Sequence, residues 1–185
     1  MPFTRAELES FAGRTIPDLV PDDLHLLFVG INPGLVSAAT GMHFARPGNR
    51  FYPALRLAGI LADDVMTPEE AAPALAARGV GITNIVARAS ARADELDDAE
   101  LLLGRERLEA FIDEHRPRVV AFAGITSYRI AFGEKKARAG LQERTISGAQ
   151  VWVVPNPSGL NAHETVTTLA EAYRAAAVAA GVVQV

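Results

Sequence analysis

The sequence predicts an α/β fold whose mostly parallel sheet is covered by helices on both faces. Three observations predict it. Four apolar runs, at residues 24–30, 80–86, 118–123 and 151–155, are continuous rather than alternating, as strands covered on both sides are. Segments of helical period separate them, so the strands must be joined by crossovers. Three of the runs also lead straight into unusual loops, at the end of the sheet where such folds bind ligands.

Taken in order, Thr4-Arg5-Ala6-Glu7 opens a short helix by its capping pattern. The first run (LHLLFVG) ends in Gly30-Ile31-Asn32-Pro33-Gly34. A second helix starts at Thr67-Pro68-Glu69-Glu70, a capping box with proline in the first turn. The second run (VGITNIV) leads into residues 87–94. Leu101, Arg105, Leu108, Ile112 and His115 then keep a helical period, which Pro117 stops. The third run (RVVAFA) and the fourth (VWVVP) follow, the fourth running into Pro155-Asn156-Pro157-Ser158-Gly159-Leu160. A final helix is expected from about residue 162, capped by Asn161 with Glu164 as its box partner.

Composition narrows the function. The length of 185 residues fits one domain, 1–185, able to bury a full core. There is no cysteine, which removes disulfides, thiolate metal sites and cysteine nucleophiles. The four histidines are scattered at 25, 43, 115 and 163, so neither a metal nor another cofactor is expected. The longest apolar stretch, residues 175–183, falls short of the ~20 residues of a membrane span. The N-terminus carries acids and no apolar signal core. A cytoplasmic monomer is the expectation. Net charge is −4, yet residues 41–58 hold Arg46, Arg50, Arg56 and His43 and no acid, a basic face compatible with DNA.

In residues 30–34, two glycines and a proline stiffen the backbone around Asn32 and leave its carboxamide presented. A plain strand-to-helix turn, with Asn32 bonding its own backbone, accounts for the same residues. No lysine follows the second glycine, and the spacing fits neither phosphate-loop fingerprint. In residues 155–160 the backbone is again stiff. Leu160 would serve as a hydrophobic staple only if Thr165 were apolar, so an aliphatic side chain is left on a rigid loop, as a wedge into a base stack requires.

Gly30-Ile31-Asn32-Pro33-Gly34-Leu35 together with Asn156-Pro157-Ser158-Gly159-Leu160 resembles the paired signature of the mismatch-specific uracil/thymine DNA glycosylases. The likeness extends through Thr40-Gly41-Met42-His43-Phe44-Ala45, residues 47–51, Gly81-Ile82-Thr83-Asn84 and residues 151–155. It implies a three-layer α/β/α sandwich acting on double-stranded DNA that contains U·G or related mispairs. Asn32 would position the attacking water, with Ser90 helping to hold it. Phe44 would stack on the flipped base, main-chain groups near Ile31, Gly34 and Phe44 would meet its edge, and Asn84 would lie near it. Ser37 would sit by the pyrimidine 5-position and disfavour a thymine methyl. Asn156 would face phosphate and sugar with Ser158 and Asn161 beside it, while Gly159 and Leu160 form the wedge. The family often carries Ser-Arg after the wedge leucine. Asn161-Ala162-His163 stand here instead, which removes one basic contact.

Asp94, with Glu95, is the candidate carboxylate should an acid assist the water; a solvated charge cluster is the preferred reading. Arg46, Arg50, Arg88 and Arg92 are candidates for phosphate contact, with surface ion pairs an equal alternative. Two rival functions fit the same fold: a small-molecule nucleoside hydrolase, and a non-catalytic binder of mismatched DNA.

Overall fold

The computed structural model describes residues 3–184. Five strands form one sheet: β1 (Leu26–Gly30), β2 (Val80–Asn84), β3 (Val119–Ala123), β4 (Gly140–Ile146) and β5 (Ala149–Val154). Their order across the sheet is β2-β1-β3-β5-β4. Four are parallel, and only β4 runs antiparallel, against β5. β1, β2 and β3 are buried along their whole length, which is why their sequences do not alternate.

Among the described residues, seven α-helices flank the sheet: α1 (Arg5–Glu9), α2 (Leu35–Thr40), α3 (Phe51–Leu57), α4 (Pro68–Ala76), α5 (Asp98–His115), α6 (Ile125–Phe132) and α7 (Val166–Ala180). Leu26 and Phe28 of β1 point to one core, with Phe51 and Leu55 of α3, Leu75 of α4 and Leu169 and Tyr173 of α7. Leu27 and Val29 point to the other, with Leu108 and Ile112 of α5 and Tyr128 and Phe132 of α6. The architecture is therefore a three-layer α/β/α sandwich around a mostly parallel sheet. No helix among the described residues is long and apolar enough to cross a membrane.

The capping boxes at Thr4/Glu7 and Thr67/Glu70 form as read, and Asp97/Glu100 adds a third on α5. Two expectations are corrected. The last helix begins at Val166, not near residue 162, because Thr165 caps it with Thr168 as partner. Asn161 is thus no cap; it stays in the preceding loop and donates its Nδ2 to the Asn156 carbonyl at 3.2 Å. The strand β4 was not anticipated. Gln142, Glu143 and Arg144 form its polar centre, the last two exposed, and a charged edge strand carries no apolar run. The Ser147-Gly148 turn joining it to β5 has both residues at positive φ, 48° and 87°, the backbone of a tight hairpin. Helices α2, α3 and α6 were likewise not identified from sequence.

Candidate active site

Strands β1 and β3 are neighbours, but the chain leaves β1 toward β2 on one side and reaches β3 on the other. A crevice opens where connections diverge in this way. The cavity found there has a volume of about 930 Å³. Residues at or just beyond the ends of β1, β2, β3 and β5 all reach it: Ile31 and Asn32, Asn84, Ala123, and Asn156.

The loop after β1 is laced to residues 85–90. The Ile85 N–H donates to Gly30 O, Val86 N–H to Ile31 O, and Ser90 N–H to Pro33 O. This lacing explains the placement of Asn32. Its Nδ2 donates to the Arg88 carbonyl at 3.0 Å and to Ser90 Oγ at 2.8 Å. A carbonyl can only accept, so the amino end of the carboxamide must lie on that side. Ser90 Oγ in turn donates to the Arg92 carbonyl at 2.6 Å. Both amide hydrogens are committed, and Oδ1 is left as the free polar end of Asn32. Ser90, expected at the water, therefore bonds Asn32 and its own loop; it is 2% exposed.

Behind this pair stands a second tie. The Arg88 guanidinium grips both oxygens of Glu100 and donates to the Glu95 carbonyl at 3.1 Å. Arg88, with the N-cap of α5, holds the Glu100 carboxyl down at about 2. Arg88 thus turns to Glu100 and braces the segment whose carbonyl Asn32 uses, rather than standing free for phosphate. Asp94 lies on a single 3₁₀ turn (Ala93–Glu95) at the cavity rim, exposed and paired with Arg92.

The opposite wall comes from residues 37–50. Phe44 holds a left-handed backbone with φ 53°, an uncommon and costly state for an aromatic residue. Its ring stacks on Phe51 with centroids 4.0 Å apart, so one face is backed by the core. Ser37 and Gly34 line the cavity beside it, and Ser37 Oγ accepts from the Ala45 N–H at 3.4 Å. Asn84 closes the floor. A Cβ on Gly30 would meet Asn84 Oδ1 at 2.5 Å and Phe44 Cζ at 3.3 Å, so glycine ends β1 because the two side chains converge there.

Asn156, Ser158 and Leu160 also line the cavity, so Asn32 and Leu160 share one opening. Asn156 Oδ1 accepts from the Ser158 N–H at 2.9 Å, which turns the loop and sets Nδ2 on the Gly124 side, 3.6 Å from where a Cβ there would stand. Leu160 is 73% exposed. Gly159 packs against residue 48: an added Cβ would come within 2.8 Å of the Gly48 carbonyl. Arg50, expected at the phosphates, has another task. Its N–H donates to Pro157 O, and its guanidinium donates to the carbonyls of Ser158, Asn161 and Glu164. Arg46 lines the cavity and makes no ion pair among the described residues.

Leu8, Ile16, His43 and Asn49 also line the cavity, and sequence reasoning gave none of them a place in it. Nor did it find Arg107 of α5, which donates to the Asn84 carbonyl at 2.5 Å. Asn49 had a legible signal, since its Oδ1 accepts from the Phe51 N–H at the start of α3. No cluster of three or more histidine or acidic residues able to hold a metal occurs among the described residues.

A stiff carboxamide, a backed aromatic face and an exposed leucine on one crevice are parts suited to an everted base. Residues 17–179 match the model of the uracil DNA glycosylase superfamily. The chain belongs to that superfamily. A solution NMR structure of a candidate uracil DNA glycosylase from Methanosarcina acetivorans superposes with a TM-score of 0.62 at 16% identity. It covers 92% of this chain and 98% of its own, a likeness of fold. The family match takes in every strand, α2 through α6 and all the cavity residues named above except Leu8 and Ile16. Those two come from the segment holding α1, which is bonded through Gly13 and Arg14 to Ala89, next to Ser90.

Proposed function

We propose that this protein hydrolyses the N-glycosidic bond of uracil, and of related damaged pyrimidines, flipped out of duplex DNA, with preference for lesions opposite guanine. One observation carries the reading: Asn32 has both amide hydrogens fixed by Arg88 and Ser90, which leaves Oδ1 free, and Asn32 lines the cavity that Leu160 also borders.

Chemistry follows from what an amide can do. Oδ1 accepts a hydrogen from a water and turns the water's lone pair toward C1′ of the sugar. The bond from C1′ to N1 breaks, its electron pair leaving with the base, while the water oxygen bonds to the oxocarbenium-like carbon. An amide cannot take a proton at neutral pH, so the proton departs to solvent or to the leaving base. Main-chain N–H groups of a dry, preformed pocket stabilise the anionic base. Lacking a true general base, the enzyme forgoes the ~10²–10⁴-fold such a group supplies and is slow.

Mispairing favours the substrate, because everting a mispaired base costs a few kcal/mol and less than everting a well-paired one. Leu160 fills the vacated stack. Ser37 stands against a thymine methyl, and Arg46 contacts phosphate.

The test is a labelled duplex with uracil opposite guanine, followed by alkaline cleavage of abasic sites. Wild type yields product, and Asn32→Ala binds the duplex but yields none. Binding without product from wild type would instead indicate a mismatch binder, and neither binding nor product a small-molecule hydrolase.

A further inference from the structure

His43 is buried, 7% exposed, between the cavity and the loop before β1. Its Nε2 lies 3.0 Å from the Pro17 carbonyl. A carbonyl only accepts, so Nε2 carries the hydrogen and the neutral ring keeps a bare lone pair on Nδ1. Burial pushes the imidazole below its usual range, against smaller opposing effects of the Pro17 bond and the Asp18 carboxylate, which keeps the ring neutral near pH 7. Asn84 Nδ2 lies 3.4 Å from that bare Nδ1. The polarity of Asn84 follows. Its amino end must face the ring, and Oδ1 is turned to the Gly30–Phe44 side, where no donor within the described residues reaches it.

We propose that His43 is a specificity-determining positioning residue, locking the Asn84 carboxamide so that it presents an acceptor to N3 of the bound pyrimidine. The inference rests on the reading that a pyrimidine stacks on Phe44. Uracil has N–H at N3 and a carbonyl at C4, complementary to Oδ1 and the second Nδ2 hydrogen. Cytosine reverses both: N3 is bare and the 4-amino group donates. A carboxamide free to rotate by half a turn would read either base. The imidazole lone pair removes the second option, because the flipped amide would set Oδ1 against it. The backbone of Asn84 is held independently by Arg107, so only the carboxamide rotation is left for His43 to decide.

Two measurements on the full chain test this. Long-range proton–nitrogen spectra of ¹⁵N-labelled protein, with His43 assigned by its loss in His43→Gln, should show the neutral Nε2–H tautomer. An Nδ1–H tautomer overturns the lock whether or not the protein has any glycosylase activity, so its failure is distinct from failure of the functional reading. In duplexes carrying uracil opposite guanine or cytosine opposite adenine, folded His43→Leu should narrow the uracil-to-cytosine rate ratio by about tenfold, the worth of one oriented hydrogen bond. His43→Gln, whose carbonyl can accept from Asn84, should restore it. A ratio unchanged in His43→Leu overturns the proposal.

Discussion

Arg50 donates to the Ser158 carbonyl at 2.6 Å, tying the loop before α3 to the loop that carries Leu160. The same guanidinium reaches Asn161 and Glu164, so one side chain holds three carbonyls of an otherwise irregular segment. Removing it in Arg50→Ala leaves partly buried carbonyls unpaired and should destabilise the protein by about 2–3 kcal/mol. Lysine, a single ammonium without the planar fork, should recover only part of this. Urea unfolding measures the loss. Binding to a U·G duplex should weaken more than turnover of a uracil already single-stranded, because the proposed wedge on this loop acts only in a stacked helix.

Ser90 offers a cleaner cut at Asn32. In Ser90→Ala the carboxamide keeps its bond to the Arg88 carbonyl but loses the one to Oγ. Turnover should fall about tenfold with KM nearly unchanged, the pattern of an orientation lost in the transition state. Single-turnover kinetics on U·G duplex give both numbers. An equal loss in KM would assign Ser90 to substrate binding instead.

The parts of this molecule visible in sequence are those with a local physical signature. β1, β2 and β3 are buried on both faces and read as unbroken apolar runs. Asn32 and Asn156 were legible because proline and glycine bracket them. The charged edge strand β4 was hidden by Gln142, Glu143 and Arg144, although Ser147-Gly148 marked the hairpin. Arg50 and Arg88 could be named as candidate cations for phosphate but not given a direction. Their partners lie at Ser158 to Glu164 and at Glu100, and only the folded chain decides which partner an arginine takes. The His43–Asn84 contact spans 41 residues and left no pattern in the sequence.

Asp94 stands at the rim in an ion pair with Arg92, and Glu100 stays ionised far below neutrality under the grip of Arg88. If Asn32 rather than a carboxylate holds the water, as proposed, the rate should show no acid limb of carboxylate type between about pH 5.5 and 8. Asp94→Asn should keep turnover within about twofold, since exposed pairs contribute little. An abrupt loss on that substitution would make Asp94 the general base.

His43 predicts how stability depends on pH. Burial lowers its folded value below the ordinary 6.5. Above that value the ring is neutral in both folded and unfolded chains, and the stability is fully present. As pH falls below it, the unfolded chain takes up a proton that the folded one does not, so stability declines until pH passes the folded value. The urea midpoint should therefore drop between about pH 7 and 5.5 in wild type, and drop less in His43→Gln, which cannot titrate.

Substitutions at Leu160 and Gly159 separate the proposed wedge from its scaffold. Leu160 is 73% exposed, so Leu160→Ala should leave stability within about 0.5 kcal/mol of wild type. It should nevertheless weaken binding to a U·G duplex and slow excision, because an alanine cannot fill the stack. Gly159→Ala acts by another route. Its Cβ would come within 2.8 Å of the Gly48 carbonyl, and a backbone oxygen cannot swing aside as a side chain can. The two loops must part, displacing Asn156 and Leu160 together. Gly159→Ala should thus lower both melting temperature and excision, whereas Leu160→Ala lowers excision alone; parallel melting curves and single-turnover assays distinguish them. Unchanged excision in a folded Leu160→Ala would remove the wedge from the mechanism.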